Sequence, residues 1–94
     1  MVGLPPIELL ESVHEFPGEY TVKAFGPHDQ TFVDAVTREA TSAHAAAGAP
    51  EIGARASSKG TYICVTAVVF VESALDVHRL YEALQKVPRI KRVL

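Results

Sequence analysis

Gly60-Thr61-Tyr62-Ile63-Cys64-Val65-Thr66-Ala67-Val68-Val69-Phe70-Val71-Glu72 packs β-branched and aromatic residues into one unbroken run opened by a glycine. That composition reads as a β-strand, because such side chains suit a pleated, packed surface. At about 3.3 Å per residue the run crosses a whole small domain, so the other elements are best read by how they pack against it.

Working outward, Ser57-Ser58-Lys59-Gly60 is a turn. It joins the run as a hairpin to a weak edge strand over Glu51 to Ser58, with Ile52, Ala54 and Ala56 on one face. Upstream, Asp29 is placed to cap a helix reaching to about Ala46, whose stripe Phe32, Val33, Val36, Ala40 and Ala43 has helical spacing. Gly48 and Pro50 stop it, and the Ala-rich tail from Ala43 to Ala49, short of apolar bulk, is expected to fray or form a loose loop. Before it, Glu19 to Phe25 alternates Tyr20, Val22 and Ala24 against Thr21 and Lys23, a half-buried strand expected to end at Gly26-Pro27. Residues 1–18 read as an N-terminal extension. It has a disordered lead over 1–6, a helical turn over Ile7 to Val13 with Ile7, Leu10 and Val13 on one face, and a stop at Phe16-Pro17-Gly18.

Downstream, Ser73 is expected to cap a helix from Ala74 to about Lys86, with Leu75 or Val77, Leu80, Tyr81 and Leu84 as its buried stripe. Asp76 in the first turn and Lys86 in the last complement the helix dipole. Val87-Pro88 breaks it, and Arg89 to Leu94 reads as a short final strand. The order β-α-β-β-α-β predicts an α+β, ferredoxin-like sandwich: a four-stranded antiparallel sheet with two helices on one face and an open opposite face. Ninety-four residues suit one such domain over 1–94.

Composition narrows the function classes. With 48% hydrophobic and 21% charged residues the chain is ordinary for a soluble globular protein. No apolar run reaches the roughly 18 residues a bilayer span requires, and the start lacks the n- and h-regions of a signal peptide. The lone Cys64 allows no internal disulfide, which fits a cytoplasmic setting. A net charge of −2 offers no general attraction to nucleic acid or membrane. The charges are segregated, however: Glu8, Glu11, Glu15 and Glu19 crowd the start, and Arg89, Lys91 and Arg92 crowd the end. That basic end reads either as a docking patch for an acidic partner or as charge that discourages edge-to-edge aggregation.

The chemistry of enzymes is not visible in this pattern. His14, His28, His44 and His78 are scattered, with no metal-ligand spacing, so no cofactor or metal is expected. Cys64 in mid-strand fits packing or an interface better than nucleophilic catalysis. The binding surface is more informative. If Val65, Ala67, Val69 and Val71 face the helices, Tyr62, Cys64, Thr66, Val68 and Phe70 face outward, too apolar a set to meet only water, and they form the candidate interface. Lys23, Ser57, Ser58, Lys59 and Tyr62 form the polar group expected to gather near one end of the central strands as a small-molecule site. The competing reading of that group is a hairpin whose serines bond their own backbone.

Phe16-Pro17, the strand Tyr20 to Gly26, the turn Ser57 to Gly60 followed by Tyr62, Tyr81-Glu82-Ala83-Leu84 and Val93-Leu94 together resemble the YbeD-like family of small bacterial proteins of unknown function. The resemblance spans about Ile7 to the end. It implies a ferredoxin-like fold similar to ACT-type regulatory domains, which bind small ligands between paired chains. It also implies cytosolic residence and a regulatory role, and it carries no catalytic residues. Cys64 and Phe70 stand where relatives often have small polar residues, which argues that the open face is covered. The resulting expectation is a non-enzymatic module: a homodimer sensing a small-molecule effector, or an adaptor docking a protein partner. An RNA-binding domain is the third reading, because Lys59-Gly60 opens the third strand as in the RNA-recognition motif. The acidic net charge and the absence of a clear aromatic pair on the first strand weigh against nucleic acid.

Overall fold

The computed structural model describes residues 4–43 and 49–94. Its elements are α1 (Ile7–Val13), β1 (Gly18–Pro27), α2 (Gln30–Ala43), β2 (Glu51–Ala56), β3 (Tyr62–Val71), α3 (Ala74–Gln85) and β4 (Arg92–Val93). The strands form one antiparallel sheet in the order β2-β3-β1-β4, which places β1 and β3 at the centre, as a ferredoxin-like fold requires.

Alternation along β3 buries Ile63, Val65, Ala67, Val69 and Val71 and leaves the intervening residues half-buried or exposed. On β1 the same alternation buries Tyr20, Val22 and Ala24. These inward residues meet Phe32, Val36 and Ala40 of α2 and Val77, Leu80 and Leu84 of α3, which form a continuous apolar core. Burying a Leu or Phe side chain contributes roughly 1.5–3 kcal/mol, so this layer is the main source of stability. The hydroxyls of Tyr20 and Tyr81 lie 3.1 Å apart inside it, each satisfying the other.

Asp29 caps α2 as its side-chain chemistry suggests, accepting from Phe32 N at 3.0 Å. The expected end of α2 near Ala46, the loose Ala-rich tail and His44 lie outside the described residues. Ala35 joins the buried face of α2, while Val33 is only half-buried.

Several boundaries differ from the sequence reading, each for a physical reason. Gly26-Pro27 does not end β1: the strand continues until Pro27 faces Tyr62, and Gly26 supplies the space that Phe32 fills. Val13 is exposed, and α1 instead inserts Leu10 with Ile7 beside it. Leu4 packs on the core and the Pro5 carbonyl meets His78 Nε2, so residues 4–6 are held by α3 rather than free. Val77, not Leu75, completes the stripe of α3. Ser73 occupies the N-cap but its side chain makes no capping bond, and Lys86 is the C-cap rather than part of the last turn. Asp76 reaches back to accept from Glu72 N at 3.0 Å. β2 stops at Ala56, where Ser57 begins the turn, and its Ala54 and Ala56 are exposed because an edge strand has little to cover it. The last strand shortens to Arg92–Val93: the chain is still turning over Val87 to Ile90, where Ile90 N donates to Val87 O at 3.3 Å and Arg89 takes a left-handed φ of 66°.

Candidate functional site

The antiparallel register arranges the outward side chains in rows. Phe70 lies beside Glu19, Val68 between Glu51 and Thr21, Thr66 between Gly53 and Lys23, and Cys64 between Arg55 and Phe25. Tyr62 faces Pro27 at the end of the ladder, and Arg92 flanks Phe25 from β4. None of these residues is covered by a helix, so the face is open, with Tyr62 at 46% and Phe70 at 45% exposure.

The hairpin holds Tyr62 in place. Gly60 takes a φ of 71°, the left-handed conformation that glycine adopts without strain. Its N–H donates to Ser57 O at 2.9 Å, and Ser57 N donates to Tyr62 O at 2.8 Å. Ser57 Oγ accepts from Tyr62 N at 3.2 Å, so this hydroxyl positions the ring through the backbone. His28 Nδ1 meets Gly60 O at 2.8 Å and ties the turn to the start of α2.

Around Tyr62 the surface is indented. A shallow groove of about 360 Å³ runs over Lys23, Arg55, Ser57, Tyr62, Cys64 and Thr66. A neighbouring hollow of about 500 Å³ lies among Phe25, Tyr62, Lys91 and Arg92. The rings are dressed by cations: Lys91 Nζ sits 5.9 Å from the centroid of Tyr62, and the Arg92 guanidinium 5.7 Å from that of Phe25. Among the described residues Lys23, Arg55, Lys91 and Arg92 form no ion pair, leaving their donors available. Unpaired guanidinium and ammonium groups beside an aromatic wall suit an anionic group carried on an apolar body.

Of the residues assigned from sequence to a small-molecule site, Lys23, Ser57 and Tyr62 come together in the groove. Ser58 and Lys59 lie exposed at the hairpin tip and do not line it. Tyr62, Cys64, Thr66, Val68 and Phe70 all lie on the open face. Phe25 and Arg55 escaped the sequence reading, while Lys91 and Arg92 figure in it only as part of a basic chain end and not with Tyr62. Phe25 was accessible from alternation, since it follows Thr21 and Lys23 on the outward side of β1, and it supplies the first-strand aromatic that had seemed missing. Arg55 follows in the same way from Ile52, Ala54 and Ala56.

Comparison with known proteins gives a consistent picture. A family model described as "Protein of unknown function (DUF493)" matches residues 11–94. A "UPF0250 protein" of Shewanella piezotolerans is 34% identical over 84 residues, covering 89% of this chain and 93% of its own. Others from Janthinobacterium sp. (strain Marseille) and Shewanella amazonensis are 34% and 36% identical, covering 89% and 85% of this chain and 92% and 89% of theirs.

Proposed function

From the premise that this chain belongs to the DUF493 family, the YbeD-like proteins of unknown function, we propose that it is a regulatory binding module without chemistry of its own. Two copies pair through the open faces of their sheets, and an anionic small molecule acts as effector at the corner formed by Lys23, Arg55 and Tyr62. The observation that carries this reading is the unpaired cationic cluster around Phe25 and Tyr62, set on a face that also exposes Phe70. Nothing on that face is arranged for bond-making: among the described residues Cys64 has no hydrogen-bonded base, which a nucleophile requires.

Pairing is tested by sedimentation of the full chain across a concentration series, which should show a reversible dimer. The effector is tested by thermal shift with di- and tricarboxylates, nucleotides and lipoyl-type acids, because a ligand of the folded state raises Tm. The shift should vanish in Arg55→Ala and Lys23→Ala. A chain that stays monomeric and melts at the same temperature with every anion refutes the reading.

The protein-adaptor reading uses the same apolar face with a foreign partner. The RNA reading gains Phe25 beside Tyr62. A salt-sensitive complex with single-stranded RNA that is lost in both Phe25→Ala and Tyr62→Ala would favour it instead.

A further inference from the structure

The two ends of the open face carry opposite charge. Glu19 and Lys23 both point outward from β1, and Glu51 and Arg55 both point outward from β2. β1 and β2 each run opposite to β3 and therefore point the same way, so the two acids share one end of the sheet and Arg55 lies at the other, while Lys23 stands in the middle row beside Thr66. Arg92 on β4 adds to the basic end. All five side chains are exposed, and among the described residues none forms an ion pair. Between the charges the apolar groups are also distributed in a matching way. Phe70 and Val68 lie toward the acidic end, Tyr62 and Cys64 toward the basic end, and Thr66 with Gly53 forms the small middle row.

Resting on the pairing proposed above, we infer that the open face docks on a second copy of itself in antiparallel orientation. The two-fold axis runs across the strands near Thr66, and the acidic end of each copy meets the basic end of the other. Such an axis reverses strand direction while keeping β2 over β2 and β1 over β1. Glu51 then meets Arg55 of the second copy, and Glu19 approaches its Arg92. Phe70 lies on Tyr62 and Val68 on Cys64, so each large apolar group finds a counterpart, while Thr66 and Gly53 leave room at the axis for Lys23, whose long side chain turns to solvent past its own copy. This is the self-complementarity a two-fold interface needs, where residue i meets j and j meets i. Head-to-head stacking, with the axis along the strands between β3 and β1, sets Arg55 on Arg92 and gives Glu51 no cation, and like-charge juxtaposition disfavours it. Edge-to-edge pairing along β2 also joins Glu51 to Arg55, but it leaves Glu19, Lys23 and Cys64 outside the contact.

Charge reversal on the full chain tests the orientation. Glu19→Lys/Glu51→Lys makes both ends basic, and Arg55→Glu/Arg92→Glu makes both acidic. Each variant alone should raise the dimer dissociation constant on the order of tenfold or more, by sedimentation at low salt. An equimolar mixture of the two should recover the wild-type value, since acid then meets base at both ends. The side chains are exposed, so the fold should persist; raising the salt on unmodified protein is the parallel test and should weaken the pair. Alkylation of Cys64 should slow as the wild-type concentration rises through the dissociation constant. A dimer indifferent to both reversals and to salt, or one in which Cys64 reacts as in the monomer, overturns the antiparallel face while leaving pairing itself intact. A wild-type chain that never dimerises overturns both.

Discussion

At Asp29 one carboxylate serves two parts of the chain. Oδ1 accepts from Phe32 N at 3.0 Å and from the Thr31 hydroxyl, while Oδ2 meets Arg89 Nη1 at 2.9 Å. The Thr31 bond foremost, then the Phe32 amide and Arg89, holds its pKa down from 3.8 to about 2. The native state thus favours the ionised form. The contribution is complete above about pH 4 and is lost as pH falls toward 2, so Asp29→Asn should flatten the acid limb of an unfolding curve in that window. Asp29→Ala also removes the cap and should lower the urea midpoint further than Asp29→Asn does. Arg89 is the other half of the contact and holds a φ of 66°, a conformation that costs a non-glycine residue about 1 kcal/mol. Arg89→Gly loses the ion pair but relieves the backbone, whereas Arg89→Ala only loses. Glycine should therefore be the more stable variant by roughly 1 kcal/mol, and the reverse order would remove the strain argument.

Between elements, the tightest approach is that of α2 to β1 at Gly26. A methyl group there would stand 2.3 Å from the Phe32 ring, which is itself only 1% exposed and has nowhere to retreat. Gly26→Ala should therefore destabilise by about 1–3 kcal/mol, and Phe32→Leu in the same chain should recover part of the loss. Additive effects in that double-mutant cycle would show that the two positions do not share a strain. Gly26 also illustrates what was legible in the sequence. Periodicity identified every element and both faces of β3, because burial alternates with strand geometry and follows the helical stripe. It read Gly26 as a strand stop, since a glycine that ends an element and one that admits a ring from another element look alike in one dimension. The brief β4 was overextended for a related reason: the turn over Val87 to Ile90 that precedes it is tied through Arg89 to Asp29, a partner distant in sequence.

Over the whole molecule, the candidate site was half-legible. Tyr62 and Lys23 followed from alternation, but Phe25, Arg55, Lys91 and Arg92 come together only when β1, β2, the hairpin and the chain end converge on one corner. That convergence links two proposed events. Arg55, which would take an anionic effector, is also the cation that the acidic end of a second copy would meet, so effector and partner would compete for it. Linkage would make the competition reciprocal: an anion held by Arg55 would loosen the pair, and pairing would weaken the anion by the same factor. Citrate added at constant ionic strength should therefore raise the dimer dissociation constant and also raise the Tm of chain dilute enough to be monomeric. Sodium chloride, compared at the same ionic strength, should give no such rise in Tm. Arg55→Ala should abolish both citrate effects while leaving the salt response of the remaining pairs. If citrate instead tightens the dimer, the anion bridges two basic corners, and the corners meet each other rather than the acidic end.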